Sequence, residues 1–224
     1  MVSIAVDGPV GAGKSSLCDA LAGALGILHL DTGAMYRAIG LYTLNAGIRQ
    51  DDEDALKRMI ELEDARVTVD FIDGQQVTLL NGVDITSRLR EEAVGIAASA
   101  VSKHAVVRKY LVRLQQQIAK ERSLLIDGRD IGTVVLPDAK IKIFLTASAE
   151  ERAMRRYRQL LDDGKGADYH KVLMDLKARD EQDENRAVDP LRPADDAVIL
   201  DTTGLRFDES LQKMLDIVNK AYES

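Results

Sequence analysis

The chain has 224 residues, 46% of them hydrophobic, and its 30 Lys plus Arg face 37 Asp plus Glu for a formal charge of −7. That length suits one domain (1–224) with room for an insert, since a single core stops growing near about 250–300 residues. The acidic balance excludes a protein whose main task is gripping nucleic-acid backbones, and 4% aromatics without Trp exclude a base-stacking surface.

Val2–Val6 is a short, β-branched apolar run, suited to a buried parallel strand. It leads into Gly8-Pro9-Val10-Gly11-Ala12-Gly13-Lys14-Ser15, which matches G-x-x-x-x-G-K-[ST] with a strand before it and a helix opening at Lys14. Glycines there let backbone N–H groups turn inward as an anion nest, and the helix N-terminus adds partial positive charge. Lys14 would bridge β- and γ-phosphates and Ser15 would hold Mg²⁺ through its hydroxyl. The helix over Lys14–Leu25 ends at Gly26, and Cys18 inside it is a small packing residue.

Ile27–Leu30 predicts a second strand and Ala34–Asn45 a helix stopping at Gly47. Strand–helix–strand–helix with short links indicates an α/β sheet. Across the second strand's end lies LDTGAMYR, whose Thr32 and Arg37 suit either a second anion site or an ordinary helix cap. From Ala65, two period-2 runs are split by Asp73-Gly74 and ended by Asn81-Gly82, which predicts an antiparallel hairpin over 65–80. Such a sheet does not belong in a parallel core, so it is placed in an insert over roughly 35–110.

Leu124–Asp127, Ile141–Leu145 and Ala197–Leu200 predict further strands, and Asp208–Tyr222 a closing helix. Asp127 ends an apolar strand, where a carboxylate can approach a nucleotide-bound Mg²⁺; Arg129 and Asp130 follow at the carboxyl end of the sheet, where ligands bind in open α/β folds. Ser148 and Glu151 form a capping box for a helix carrying Arg152, Arg155 and Arg156 on one side. Those three suit polyphosphate or a solvated face. Arg179, Asp183 and Arg186, spaced i, i+4, i+7 in a helical segment, would share a face, either as a salt-bridge stripe or as part of a site.

Cys18 as the lone cysteine excludes an internal disulfide, and His29, His104 and His170 lack metal-site spacing. The N-terminal MVSIAVDG reaches Asp7 too early for a signal peptide, and no apolar run approaches the roughly 18 residues of a membrane span. A cytoplasmic protein without a membrane or nucleic-acid partner is expected.

Taken in order, GPVGAGKSS at Gly8–Ser16, LDTGAMYR at Leu30–Arg37, IDGRDIGTVV at Ile126–Val135 and ARDEQDENRAVDPL at Ala178–Leu191 resemble the bacterial cytidylate kinases of the nucleoside-monophosphate kinase family. That resemblance implies a three-layer α/β P-loop fold: a parallel central sheet flanked by helices, a small antiparallel β insert and a helical lid near 150–170. It implies transfer of the γ-phosphoryl group of ATP to CMP or dCMP with Mg, by a monomer. Gly8, Pro9, Val10, Gly11, Ala12, Gly13, Lys14, Ser15 and Ser16 would bind ATP, with Arg152, Arg155 and Arg156 in or beside the lid. Arg37, Arg129, Arg179 and Arg186 would surround the acceptor phosphate and the transferring group, with Thr32 and Tyr36 nearby and Asp183 on the ribose.

Ser99, Arg108 and Asp130 would read the base, with Ser102 the rival of Ser99. Cytosine offers an exocyclic amine that wants a carboxylate and ring acceptors that want a donor. Thr32 stands where the family often has serine and keeps the hydroxyl. Rival functions are a UMP or GMP kinase, a small-metabolite kinase, and a nucleotide-dependent switch.

Overall fold

The structure is a computed structural model and describes residues 2–223. Its central sheet has five strands: β1 (Ser3–Asp7), β2 (Leu28–Asp31), β6 (Leu124–Gly128), β7 (Ile141–Thr146) and β8 (Val198–Asp201), in the order β2-β6-β1-β7-β8. β1 runs parallel to β7 and β7 to β8. A separate three-stranded antiparallel sheet holds β3 (Val67–Ile72), β4 (Gln75–Leu80) and β5 (Val83–Asp84). The chain falls into two compact units, one of residues Val2–Gly26 with 125–223 and the other of Ile27–Leu124.

The first unit carries β1, β6 to β8 and helices α1 (Lys14–Leu25), α6 (Ala149–Asp162), α7 (Tyr169–Asn185) and α8 (Phe207–Glu223). Ile4, Ala5 and Val6 are wholly buried, as the apolar run requires of a strand covered on both faces. Gly8 must be glycine: its φ is +151°, and a Cβ there would stand 1.9 Å from the Leu145 carbonyl oxygen. The Ser148 hydroxyl accepts the Glu151 N–H at 3.2 Å, so α6 starts at the expected cap. A π turn over Ile131–Val135 was not legible in the sequence.

The second unit holds β2, the antiparallel sheet, α2 (Thr32–Ala46), α3 (Glu53–Glu61), α4 (Glu92–Val101) and α5 (Ala105–Ala119). The Asp31 carboxylate accepts the Ala34 N–H at 3.2 Å, which starts α2 at Thr32, two residues before the sequence estimate. Asp73 and Gly74, at φ 52° and 79°, reverse the hairpin where the Asp-Gly pair predicts it. β5 adds a third strand beyond that hairpin. α2 and α4 cross so closely that a Cβ on Gly40 would lie 2.7 Å from the Ala98 backbone nitrogen.

Candidate active site

The phosphate loop joins β1 to α1. Gly11 and Gly13 have φ of 75° and 84°, which an L side chain rarely adopts, and Gly13 opens α1 without any side-chain cap. The first amides of α1 are thereby left facing the loop, the arrangement that binds an anion. Pro9 is buried, whereas Ser15 and Ser16 reach solvent. Lys14 curls back so that Nζ donates to the Gly8 and Pro9 carbonyls, both at 2.8 Å. Burial, and next the Arg129 charge, push its amine down to about 7. Burial and the neighbouring positive charge disfavour the ammonium, so an anion beside it would restore its charge.

Ser15 Oγ donates to Asp127 Oδ2 at 3.2 Å. That contact brings together two hard oxygen donors, the donor chemistry Mg²⁺ prefers. The two fit a nucleotide-bound Mg²⁺.

Arg129 Nε donates to Asp183 Oδ2 at 2.9 Å, and Arg186 lies 3.6 Å from Asp130 Oδ1. Sequence spacing put Arg179, Asp183 and Arg186 on one helical face, but α7 ends at Asn185. Arg186 adopts extended backbone as its C-cap, and its Nε donates to the Asp189 carbonyl, at a position where φ is +48°. The turn after the helix, not helical periodicity, brings Arg186 to Asp130. Arg179 is exposed on α7.

Nor do Arg152, Arg155 and Arg156 form a single cluster. Arg152 is buried: Nε donates to the Ala147 carbonyl, and Nη1 to Val10 O at 2.9 Å and Asp180 Oδ2 at 2.7 Å. Arg155 donates to the Thr202 carbonyl at 2.8 Å and pairs with Glu151, and Arg156 donates to Gln159 at the surface. Residues three and four apart on a helix share a side, but side chains this long diverge to whichever acceptors packing supplies. The phosphate loop itself packs on this region, for a Cβ on Gly11 would meet Leu176 at 3.2 Å and Arg152 at 3.4 Å.

In the other unit, Arg37 lies 3.8 Å from Asp31, and Thr32 is buried at the start of α2. Gln76 grips this turn from β4: its Oε1 accepts the Asp31 N–H at 2.7 Å and its Nε2 donates to the Asp31 carbonyl at 3.2 Å. Arg108 is only 2% exposed, with its guanidinium 5.6 Å from the centre of the Tyr36 ring and Nη1 on the Ser102 carbonyl. The Ser102 hydroxyl donates to the Ser99 carbonyl at 2.9 Å, so the rival serine is engaged with backbone.

Sequence reasoning passed over Asp7, Asp180 and Gln76. Asp7 carried the same signal as Asp127, a carboxylate ending an apolar strand; Asp180 and Gln76 carried none. The Asp7 carboxylate accepts the N–H groups of Ile131 and Gly132, both at 2.7 Å. Burial outweighs those bonds and raises its pKa from the ordinary 3.8 to about 6. A raised carboxyl stabilises the native state below the unfolded value, so its contribution is fully present below pH 3.8 and lost as pH rises past about 6. Denaturant titrations between pH 4 and 7 should show this slope in the native protein and not in Asp7→Asn.

Among the described residues no helix is long and apolar enough to cross a membrane. Two solved structures have the same architecture: an uncharacterized protein from Eubacterium ventriosum (TM-score 0.51, 12% identity, 98% of this chain and 99% of that one) and a gluconokinase from Sinorhizobium meliloti (0.50, 15%, 99% and 94%). At such identities the likeness concerns the fold alone. The cytidylate kinase of Caldicellulosiruptor saccharolyticus is 47% identical over 219 residues, covering 98% of this chain and 96% of that protein. That of Pasteurella multocida is 46% identical over 221 residues, with 98% and 96% covered. The family model for cytidylate kinase matches residues 4–220, from within the first strand into the last helix. With a family model matching residues 4–220 and relatives 46–47% identical over nearly the whole chain, the chain belongs to the cytidylate kinase family.

Proposed function

We propose that this protein transfers the γ-phosphoryl group of ATP to CMP or dCMP, giving ADP and CDP or dCDP. The observation that carries the proposal is the phosphate loop, with Lys14 at its centre and Ser15 beside Asp127, in a chain 46–47% identical along its whole length to cytidylate kinases. In-line transfer between two anions asks the protein for placement and charge neutralisation, with no covalent nucleophile.

The loop over 8–16 cradles the donor phosphates through the backbone N–H groups of its residues other than Pro9, which has none, and Lys14 turns from its loop carbonyls to the transferring group. Magnesium bound with the nucleotide would neutralise phosphate charge, and Ser15 and Asp127 are the residues that would hold it. Arg152, Arg155 and Arg156 all belong to the assigned lid region, 150–170, and Arg152 also holds the phosphate loop through the Val10 carbonyl. The insert over 35–110 is assigned to the acceptor, with Tyr36, Arg37, Ser99 and Arg108 as its binding residues and Thr32 just before it. Arg129, Arg179 and Arg186 neutralise the acceptor and transferring phosphates, Asp183 takes the ribose and Asp130 the cytosine amine.

A coupled ADP-release assay over CMP, dCMP, UMP and GMP tests this. CMP or dCMP should exceed UMP by about tenfold or more in kcat/KM, the discrimination one good base-edge pair supplies. A preference for UMP would sink the role of Asp130, and ADP release that no monophosphate accelerates would identify a switch.

A further inference from the structure

We propose that Asp7 is a positioning residue for acceptor recognition: from the end of β1 its carboxylate caps the Ile131–Val135 turn, leaving the Asp130 side chain to work away from that turn. The inference rests on the acceptor role proposed above for Arg129 and Asp130.

The turn's leading amides have no partner within it, as at any helix start. The usual remedy is local, with the preceding Asp accepting those N–H groups. Here the preceding residue is Asp130, yet its φ of −144° is not a cap conformation and its side chain makes no capping bond. Asp7 does that work from 124 and 125 residues away, one oxygen on Ile131 N–H and the other on Gly132 N–H, each at 2.7 Å. Two charge-assisted bonds from one fork fix both distance and angle.

The fork is closely surrounded. A Cβ on Gly132 would lie 3.2 Å from Lys142 Cδ, 3.3 Å from Asp7 Oδ2 and 3.5 Å from Ala194 Cβ. Lys142 is itself engaged by Asp196 and the Pro137 carbonyl. Asp7 thus ties the strand that opens the phosphate loop to the two residues following Arg129-Asp130. A displacement of residues 131–132 moves the Asp130–Arg186 and Arg129–Asp183 pairs with them.

The test is Asp7→Asn, which keeps the shape but offers one acceptor oxygen, its NH₂ facing the second backbone donor. Losing one such bond should raise KM for CMP about tenfold and shrink the CMP-over-UMP ratio by a similar factor, with KM for ATP changed less than about twofold. Gly132→Ala, which presses on Asp7 Oδ2 without altering charge, should shift the same two quantities in the same direction and serves if Asp7→Asn does not fold. In amide-detected NMR of the full chain, the Ile131 and Gly132 N–H signals should move upfield and exchange faster in Asp7→Asn. Lowered thermal stability with KM for CMP and base selectivity both unchanged would reduce Asp7 to a structural role and overturn the proposal. Failure of the native protein to phosphorylate CMP would instead overturn the acceptor assignment, and the amide signals would still decide the capping alone.

Discussion

Lys14→Met should lower kcat for phosphoryl transfer to CMP about 10³-fold while the chain stays folded. The Lys14 ammonium is the buried cation at the centre of the loop, hydrogen-bonded to the backbone carbonyls of Gly8 and Pro9. Carbonyl partners are exchanged readily for phosphate oxygens, because each ion–dipole bond lost is replaced by one between opposite full charges. Methionine keeps the unbranched stem and the packing but brings no charge to the transferring group. Steady-state ADP release measures the loss, and circular dichroism with a melting curve checks that folding persists. Native rates in a folded Lys14→Met protein would overturn the assignment of the loop.

Arg152→Ala should be the most damaging of the arginine substitutions for stability, by about 3–5 kcal/mol. Arg152 and Asp180 side chains are 7% and 13% exposed, and the second Asp180 oxygen is buried without a hydrogen-bond partner. Removing the guanidinium strands a buried carboxylate and takes donors from Val10 and Ala147 carbonyls. For a chain of this size the melting temperature should fall by roughly 6–20 °C. Arg156→Ala, at an exposed side chain bonded to Gln159, should fall within about 0.5 kcal/mol of the native protein. The double variant Arg152→Met, Asp180→Leu should regain much of the loss, since a paired replacement leaves no orphaned charge. A melting temperature for Arg152→Ala equal to that of Arg156→Ala would contradict the clamp.

The Arg152 case shows where sequence legibility ends. The spacing of Arg152, Arg155 and Arg156 placed them correctly on one helix, and periodicity carries nothing more. Their separate acceptors, Val10 and Asp180 for the first and Thr202 for the second, lie 142, 28 and 47 residues away. Arg186 teaches the same lesson, because the end of α7 at Asn185 depends on backbone that local spacing does not report.

What the sequence alone determined was everything governed by short range. The phosphate loop, the hairpin turn at Asp73-Gly74, the Ser148 cap and the alternation of strand and helix each need only a few neighbouring residues, and all are where they were expected. Tertiary structure decided which polar groups satisfy one another once water is gone. A buried donor must find an acceptor wherever the fold offers one. Asp7 therefore answers the amides of Ile131 and Gly132, Gln76 the backbone of Asp31, and Asp180 the guanidinium of Arg152, and no local pattern announces those partnerships. The net charge of −7 belongs with the first kind of knowledge; the seating of each arginine belongs with the second.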